Sequence, residues 1–569
     1  MDLDPDDIPN LRTAIAAFLQ ELKRHLPETE IQIIVGMAAG ADLLVAETAL
    51  DMGVRVEAVL PMALEHYVDD FDDDTLVVLK SLLARRDVRC TELRPPPHPG
   101  RGVHGADAAH RNAMYANLTD TLIRRASLLL ALWDGVSLPL PGGTADTVLR
   151  FLGIRTDANM PADSIMLVDT AEDIETTEKL VYWIPAVRSS GTQAPTERQP
   201  CFLRCVGDNT LLMQKVMPES LAFQLNGLNR YNREYRELAA SEGLGAKDSL
   251  LASLPPDAPV NEHMMLADID AQYVKADLLA MHYQLRSDLL FRLFGAMTFA
   301  LGLAYLIYEK LTESRILLIA YLVILLGGLG TYYVLKGKHW FPKHLTYRAL
   351  AETMRAKFYL RLAGVDHRVN AAEVLGLSGI DKFHGFGWIS FVMAGVEVPD
   401  VRAETVHDMD MRRTRCVEKH WIESQHRYFT GKVARLERSS RRIKLLRNTL
   451  FVVILLVIMA LFLFGEAMGG DEQHPGISLR NLLTFSMGFL AVLLGAWELH
   501  QDKMATRELL WQYRNQLIHF ARARLELSRF ATPSRRHEVL VELGKDSLMA
   551  SYLWTIHRYH REHEPPTGG

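Results

Sequence analysis

The stretch Leu293-Phe-Gly-Ala-Met-Thr-Phe-Ala-Leu-Gly-Leu-Ala-Tyr-Leu-Ile-Tyr308 contains no charged residue. Stretches of about 16–20 residues are close to the length that crosses a hydrocarbon core about 30 Å thick. A helix this apolar on every face lies in a membrane or is wholly buried in protein. The chain has four such uncharged stretches, grouped as two hairpins: 293–308, 316–335, 450–465 and 482–497. We therefore predict four membrane spans; the alternative is two buried hairpins of a large soluble protein.

The basic residues predict the orientation of these spans. The connections 309–315 and 466–480 contain few Lys or Arg residues, whereas the opposite ends of the hairpins are basic. The densest run, 438–447, precedes the third span and carries Arg438, Arg441, Arg442, Lys444 and Arg447. Because basic loops stay on the cytoplasmic side, both termini and the large soluble segments are predicted to be cytoplasmic.

Composition narrows the class of partner. The net charge of −6 over 569 residues argues against nucleic acid as a bulk electrostatic partner. Four cysteines are too few for a disulfide scaffold, and Cys201-x-x-x-Cys205 lacks a second pair at metal-ligand spacing. We therefore expect the bilayer as a partner, and neither nucleic acid nor a metal.

The N-terminal third alternates strands and helices. An amphipathic helix over 7–26 precedes a β-branched strand over 31–35, and the glycine turn Gly36-Met-Ala-Ala-Gly-Ala-Asp42 follows. A helix then runs to Met52, and the next strand covers 54–60. Strand, turn, helix and strand form a βαβ unit, so we predict an α/β, Rossmann-like parallel sheet. Further predicted strands are 88–93, 128–133, 165–168 and 181–184, and further helices are 72–85, 106–125 and 144–152.

Two glycine turns in this region follow strands. The second, Pro141-Gly142-Gly143-Thr144, comes after the strand that ends in Trp133-Asp134-Gly135. A glycine turn at a helix N-terminus exposes backbone N–H groups that suit a phosphate, and such turns meet at the carboxyl edge of a parallel sheet. The alternative is that these glycines serve tight strand-to-helix turns alone. Asp42, Asp134 and Asp146 stand beside the turns.

The order Gly36-x-x-x-Gly40-Ala-Asp42, Trp133-Asp134-Gly135 and Gly142-Gly143-Thr144-Ala-Asp146 resembles the SLOG superfamily. This Rossmann-like group includes the cytokinin-activating LOG enzymes, the DNA-processing protein DprA and the cytoplasmic sensor of TRPM channels. The resemblance covers residues 7–188 and implies binding of a nucleotide-derived ligand, ADP-ribose-like or a cyclic nucleotide, with no required cofactor. The implied ligand-binding residues are Gly36, Gly40, Asp42, Arg111, Asn112, Asp134, Gly135, Gly142, Gly143, Thr144 and Asp146.

Two departures from the family bear on activity. LOG enzymes carry a Pro-Gly-Gly-x-Gly-Thr-x-x-Glu motif, whereas here Thr144 follows Gly143 directly and no Glu follows. This favours binding over hydrolysis. Related sequences usually begin with a strand ending in Gly-His-Arg, so this chain is either truncated or has lost one wall of its pocket. Arg111 either pairs with a phosphate or lies on a solvated helix face, and Asp134 either accepts from a ribose hydroxyl or caps its turn.

The membrane part resembles the SLATT class of two-span modules that accompany SLOG domains. The matching pieces are Ala276-Asp277-x-x-Ala280-x-x-Tyr283-Gln284, Tyr347-Arg348-Ala-Leu-Ala-Glu352 and Trp421-x-x-x-Gln425-x-x-Tyr428-Phe429. A helix from Asp268 is predicted to run unbroken into the first span. The second span is predicted to continue through Trp340 into a helix over 346–362, and the fourth through 498–529. The resemblance implies a pore-forming or membrane-damaging effector of bacterial conflict systems, including anti-phage defence.

Three parts are therefore expected: a SLOG-like domain over 1–188, a linker with connecting helices over 189–267, and a four-span helical domain with long cytoplasmic helices over 268–569. The predicted protein is a homo-oligomeric sensor-effector of the bacterial inner membrane. It binds a nucleotide-derived signal and gates or assembles a pore, and it is not an enzyme. The alternatives are a membrane-anchored nucleotide or NAD hydrolase and a non-catalytic scaffold.

Overall fold

The chain folds into two compact units. Met1–Gly245 and Gly379–His407 form the first unit, and Ala246–Ser378 and Asp408–Gly569 form the second. The computed structural model describes residues 3–94, 108–136, 142–154, 166–169, 179–189, 199–206, 210–242, 249–255, 258–312, 314–366, 369, 374, 386–397, 407–464, 479–503, 506–529 and 532–562.

The first unit opens with a three-stranded parallel sheet, in the order β1-β2-β3. Val35 of β1 pairs with Ala58 of β2, and Leu60 of β2 pairs with Glu92 of β3. These strands are short and rich in β-branched residues, which suits a sheet covered by helices. The elements, in chain order, are α1 (Ile8–His25), β1 (Gln32–Val35), α2 (Ala41–Asp51), β2 (Arg55–Leu60), α3 (Leu64–Tyr67), α4 (Asp73–Leu83), β3 (Val88–Glu92) and α5 (Ala108–Arg125).

A second sheet of five strands follows, in the order β4-β6-β7-β8-β5. The pairs β4–β6 and β5–β8 are parallel, whereas β7 runs antiparallel to both of its neighbours. Its elements are β4 (Leu129–Trp133), α6 (Thr144–Phe151), β5 (Met166–Asp169), β6 (Val181–Pro185), β7 (Cys201–Cys205) and β8 (Thr210–Gln214), followed by α7 (Glu219–Glu242).

One hydrophobic core joins the two sheets through α1. Ile15 and Leu19 are fully buried, and Phe18 stacks on Tyr182 of β6 with ring centroids 3.9 Å apart. The same core takes in Leu132 of β4. A helix that buries an apolar stripe between two sheets fixes both sheets in one folding unit.

The predicted α/β region is thus present, with two differences. Its parallel sheet is small, and among the described strands no ladder joins β1 to β4, which a doubly wound sheet places side by side. Strands β7 and β8 lie in 189–267, where a linker and connecting helices were predicted. Cys201 and Leu203 of β7 are fully buried, so this strand belongs to the core of the unit.

A later segment also belongs to the first unit. The short helix α11 (Ile389–Gly395) follows Trp388, whose ring lies 4.9 Å from that of Tyr231 on α7. A Cβ at Gly227 would lie 2.7 Å from Trp388 Cδ1, so the glycine leaves room for the indole. Segments distant in sequence thus close one core.

The second unit is helical and contains the four predicted spans. Its elements are α8 (Val260–Lys310), α9 (Arg315–Lys336), α10 (Trp340–Leu362), α12 (His407–Val417), a π-helical turn (Glu418–Glu423), α13 (Ser424–Phe464), α14 (Leu479–Lys503), α15 (Thr506–Arg529) and α16 (Pro533–Glu562). Four of these helices are long and apolar enough to cross a membrane, and among the residues described none in the most apolar 18-residue window of each is buried. Phe462, for example, is 84% exposed. Such exposed apolar side chains argue against two hairpins buried in a soluble protein and are consistent with contact with lipid.

The continuity of these helices differs in part from the prediction. Helix α8 is unbroken through the first span and begins at Val260, before the predicted start at Asp268. The second span does not continue through Trp340, because α9 ends at Lys336 and His339 takes a left-handed conformation with φ +50° before α10 begins. The junction between the fourth span and α15 lies at 504–505, outside the described residues.

Small residues bring the two hairpins together. A Cβ at Gly302 of α8 would lie 2.5 Å from Val492 of α14, and a Cβ at Gly488 of α14 would lie 2.4 Å from Leu306 of α8. Each helix thus inserts a branched side chain over a glycine of the other. Close backbone approach at small residues is the usual basis of helix association in membranes.

Candidate functional site

The first glycine turn joins β1 to α2. Gly40 caps α2 with φ +87°, a conformation that costs little only for glycine. A Cβ at Gly36 would lie 2.8 Å from Leu118 Cδ2, so a side chain there would press on α5. The Ala38 N–H donates to Asp42 Oδ2 at 3.1 Å, and burial raises the pKa of this carboxyl.

The second glycine turn precedes α6. Gly142 has φ +80°, and a Cβ on it would lie 2.6 Å from Tyr115 Cβ and 2.9 Å from the Tyr115 carbonyl carbon. Its N–H donates to Asp146 Oδ2 at 2.9 Å. Gly143 caps the helix with ordinary extended backbone, φ −79° and ψ 169°, and Thr144 is the first helical residue. The glycine required by the backbone is therefore Gly142, not Gly143.

Both turns pack on the same part of α5. Gly36 approaches Leu118, and Gly142 approaches Tyr115, three residues earlier. Residues three apart are neighbours on one helix face. The structure thus brings the two predicted turns together along a single turn of α5.

The two turns share one internal hydrogen-bonding pattern. In each, an Asp in the first turn of the helix accepts from the backbone N–H four residues earlier: Asp42 from Ala38 and Asp146 from Gly142. A carboxylate near a helix N-terminus stabilises the positive end of the dipole. These two N–H groups are therefore already bonded, and a phosphate would need other donors.

Arg111 is such a donor, and it lies on α5 one helical turn before Tyr115. Its Nη2 is 2.5 Å from Asp70 Oδ1 and 3.3 Å from the His66 carbonyl oxygen. The Tyr115 hydroxyl donates to the other oxygen of the same carboxylate at 2.5 Å. Burial, and the hydrogen bond to Asp70, raise the pKa of this hydroxyl, so it remains a donor at neutral pH. Asn112, the next residue, is exposed.

Asp134 is structural in this conformation. Arg188 Nε lies 2.6 Å from its Oδ2, and the Val136 N–H donates to Oδ1 at 3.1 Å. Only 9% of the residue is exposed. A Cβ at Gly135 would touch the Trp183 indole at 3.4 Å. Of the two readings of Asp134, the contacts match the turn cap.

Tyr67 is a residue of the site that the sequence did not reveal. Its hydroxyl donates to the Gly36 carbonyl oxygen at 3.0 Å, and its ring lies 6.4 Å from that of Tyr115. Burial and the negative charge of Asp42 raise its pKa, which keeps the hydroxyl protonated. The only sequence signal is an aromatic residue in a short helix after β2, which also fits ordinary core packing.

In the helical unit, three residues of the SLATT-like pieces, Asp277, Arg348 and Glu352, belong to one charged cluster. Arg348 contacts Asp277 of α8 at 2.9 Å and Glu352 at 2.5 Å. Arg355 contacts Glu352 at 2.6 Å and donates to the Tyr273 hydroxyl at 2.8 Å. Burial disfavours the charge of Glu352, but the guanidinium groups of Arg348 and Arg355 outweigh it and lower its pKa. The cluster fastens α10 to α8 just before the first span.

Among the described residues, no three His, Cys, Asp or Glu side chains lie close enough to hold an ion. No protein-family model, curated protein or solved structure matches the chain.

Proposed function

We propose that this protein is a membrane sensor-effector of the bacterial inner membrane, with both termini in the cytoplasm. Its α/β unit binds a nucleotide-derived ligand, ADP-ribose-like or a cyclic nucleotide, in a Rossmann-like manner. The helical unit, working as a homo-oligomer, then opens or assembles a pore, as an antiviral defence. Neither nucleic acid nor a cofactor is required, and the chain is not an enzyme.

The observation that carries the ligand proposal is the meeting of both glycine turns on one turn of α5, with Arg111 one helical turn earlier on the same helix. Arg111 offers a cation for a phosphate, and its guanidinium can bind two phosphate oxygens at once. Arg111 is now paired with the carboxylate of Asp70. A phosphate in place of this carboxylate also compensates the positive charge of the guanidinium. Ligand binding therefore competes with the Arg111–Asp70 pair.

The observation that favours coupling to the membrane is the continuity of α8. This helix runs 51 residues without a break, about 75 Å at 1.5 Å per residue, and includes the first span. The Arg348 cluster binds α10 to it outside the span. A rigid helix of this kind transmits a displacement at its start into the bilayer, provided that the ligand favours one of two states.

Binding to the full-length chain in lipid nanodiscs tests the proposal. ADP-ribose, NAD and cyclic AMP are titrated into the wild type and into Gly143→Val, whose backbone accepts a side chain without strain. We expect one nucleotide to bind the wild type and not the variant. Equal binding to both proteins would place the site elsewhere. Binding to neither would favour a non-catalytic scaffold, and turnover of NAD by the wild type would favour a hydrolase.

A further inference from the structure

The helix that leads into the third span carries a row of exposed arginines. Arg435, Arg438, Arg441 and Arg442, named here the basic stripe, are all exposed on α13. Arg438, Arg441 and Arg442 are spaced i, i+3 and i+4, so they share one face of the helix. Leu445, at i+7, continues that face toward the span and is 68% exposed.

These arginines lack acidic partners in the part of the chain that the structure describes, where no carboxylate lies within 4.0 Å of them. Arg435 and Arg438 donate only to carbonyl oxygens of their own helix, at 3.4 and 3.1 Å. Nearby basic residues differ in this respect, because Arg447 contacts Glu498 and Arg514 contacts Glu437. The stripe is therefore a local excess of positive charge, not part of an ion-pair network.

The stripe lies outside the hydrocarbon core, on the part of the helix that approaches the bilayer surface. At about 1.5 Å per residue, Arg441 and Arg442 lie about 12–14 Å before residue 450, where the third apolar stretch begins. Arg438 and Arg435 lie about 18 and 22 Å before it. Flexible arginine side chains reach several Å toward the interface, and a negative surface acts over a Debye length of about 8–10 Å.

We propose that the basic stripe is a binding surface for the headgroups of anionic phospholipids. Guanidinium groups form paired hydrogen bonds with phosphate, and basic residues beside a span are attracted to an anionic leaflet. The exposed Leu445 on the same face adds apolar surface between the arginines and the span. The predicted occupant is phosphatidylglycerol or a similar lipid, not a soluble nucleotide.

Native mass spectrometry of the detergent-solubilised full chain tests this surface. The wild type is compared with a variant in which Arg435, Arg438, Arg441 and Arg442 are all replaced by Gln. The matched control replaces four basic residues that lie away from the spans by Gln: Arg86, Arg524, Arg529 and Lys545. Each protein receives phosphatidylglycerol or phosphatidylcholine of the same chain length.

We expect the wild type and the control to bind phosphatidylglycerol about tenfold more strongly than phosphatidylcholine. In the stripe variant this ratio should be less than about twofold. An unchanged preference in the stripe variant, or no preference in the wild type, would overturn the proposal. So would loss of lipid binding on adding inorganic phosphate alone, since that would identify a free-anion site. If the fourfold variant does not fold, Arg435→Gln/Arg438→Gln and Arg441→Gln/Arg442→Gln should each lose part of the preference. The test contains no nucleotide, so its outcome is separate from that of the proposed function.

Discussion

Arg111 is held by Asp70: Nη2 lies 2.5 Å from Oδ1, and both side chains are less than one-third exposed. The pair compensates the positive charge of the guanidinium. It also sets the condition for ligand binding, because a phosphate that engages Arg111 must displace this carboxylate.

The first prediction follows from that competition. Asp70→Asn removes the competing charge, so nucleotide affinity should rise about two- to fivefold, in line with the modest strength of partly exposed ion pairs. Arg111→Gln removes a charge-assisted bond and should weaken binding about tenfold or more. Arg124→Gln, an exposed arginine on the same helix, is the control and should change nothing. Calorimetric titration of the full chain measures all three; a loss of affinity in Asp70→Asn contradicts the competition.

The second prediction concerns the close approach of Gly142 to Tyr115. Gly142→Ala should destabilise the start of α6 by about 2–4 kcal/mol, because left-handed strain adds to the overlap with the Tyr115 backbone. Gly153→Ala is the matched control: φ is also +80°, but no heavy atom lies within 4 Å of the added Cβ. Only the strain, about 1–2 kcal/mol, should remain there. Hydrogen exchange of α6 amides in the full chain gives both values, and equal losses would show that the contact with α5 contributes nothing.

A pH dependence is predicted for the helical unit. His344 is buried on α10, its Nδ1 lies 3.0 Å from the Ala280 carbonyl oxygen, and burial lowers its pKa to about 4. In the unfolded chain the imidazole of His344 takes up a proton near pH 6.5, whereas in the folded chain it does so only near pH 4. The free energy of unfolding therefore does not depend on His344 above pH 6.5. Below that it decreases as the pH drops, by about 2 kcal/mol between pH 7.5 and 5. His344→Gln should flatten this part of the profile of detergent-solubilised protein, whereas an identical profile would assign the effect to other groups.

The fourth prediction concerns the side of the membrane on which each loop of the helical unit lies. Cysteines introduced at Ser314 and Asp471 should react with an impermeant maleimide in intact cells, since each position lies in the loop that joins the two spans of one hairpin and is predicted to be on the outer side. The native Cys90 is exposed and provides an internal control that should react only after permeabilisation. Labelling of Cys90 in intact cells, with positions 314 and 471 protected, would invert the orientation.

The sequence alone predicted those elements whose residue pattern fits only one kind of secondary structure. The β-branched strand before Gly36 and the apolar stripe of α1 predicted both elements within one or two residues. The four uncharged stretches likewise predicted helices whose apolar side chains are exposed. In each case local spacing and the need to bury or expose apolar surface determine the element.

The rest depends on contacts that spacing does not encode. Strand β7 is a short run with a charged residue, Arg204, yet it pairs with strands on both sides and buries Leu203 fully. Trp388 closes the core of a unit whose main segment ends far earlier in the chain. The glycine turns were located correctly as turns, but their packing against Tyr115 and Leu118 required the position of α5.

The membrane potential of proteoliposomes that contain the full-length chain and hold a potassium gradient shows directly whether a nucleotide opens a pore. The probe is whichever of ADP-ribose, NAD or cyclic AMP binds in the nanodisc titration. With this nucleotide, we expect depolarisation that rises with protein density, as a homo-oligomeric pore requires, and no response from Gly143→Val. If the potential stays intact while the wild-type chain is saturated with nucleotide, the protein is not a nucleotide-gated pore.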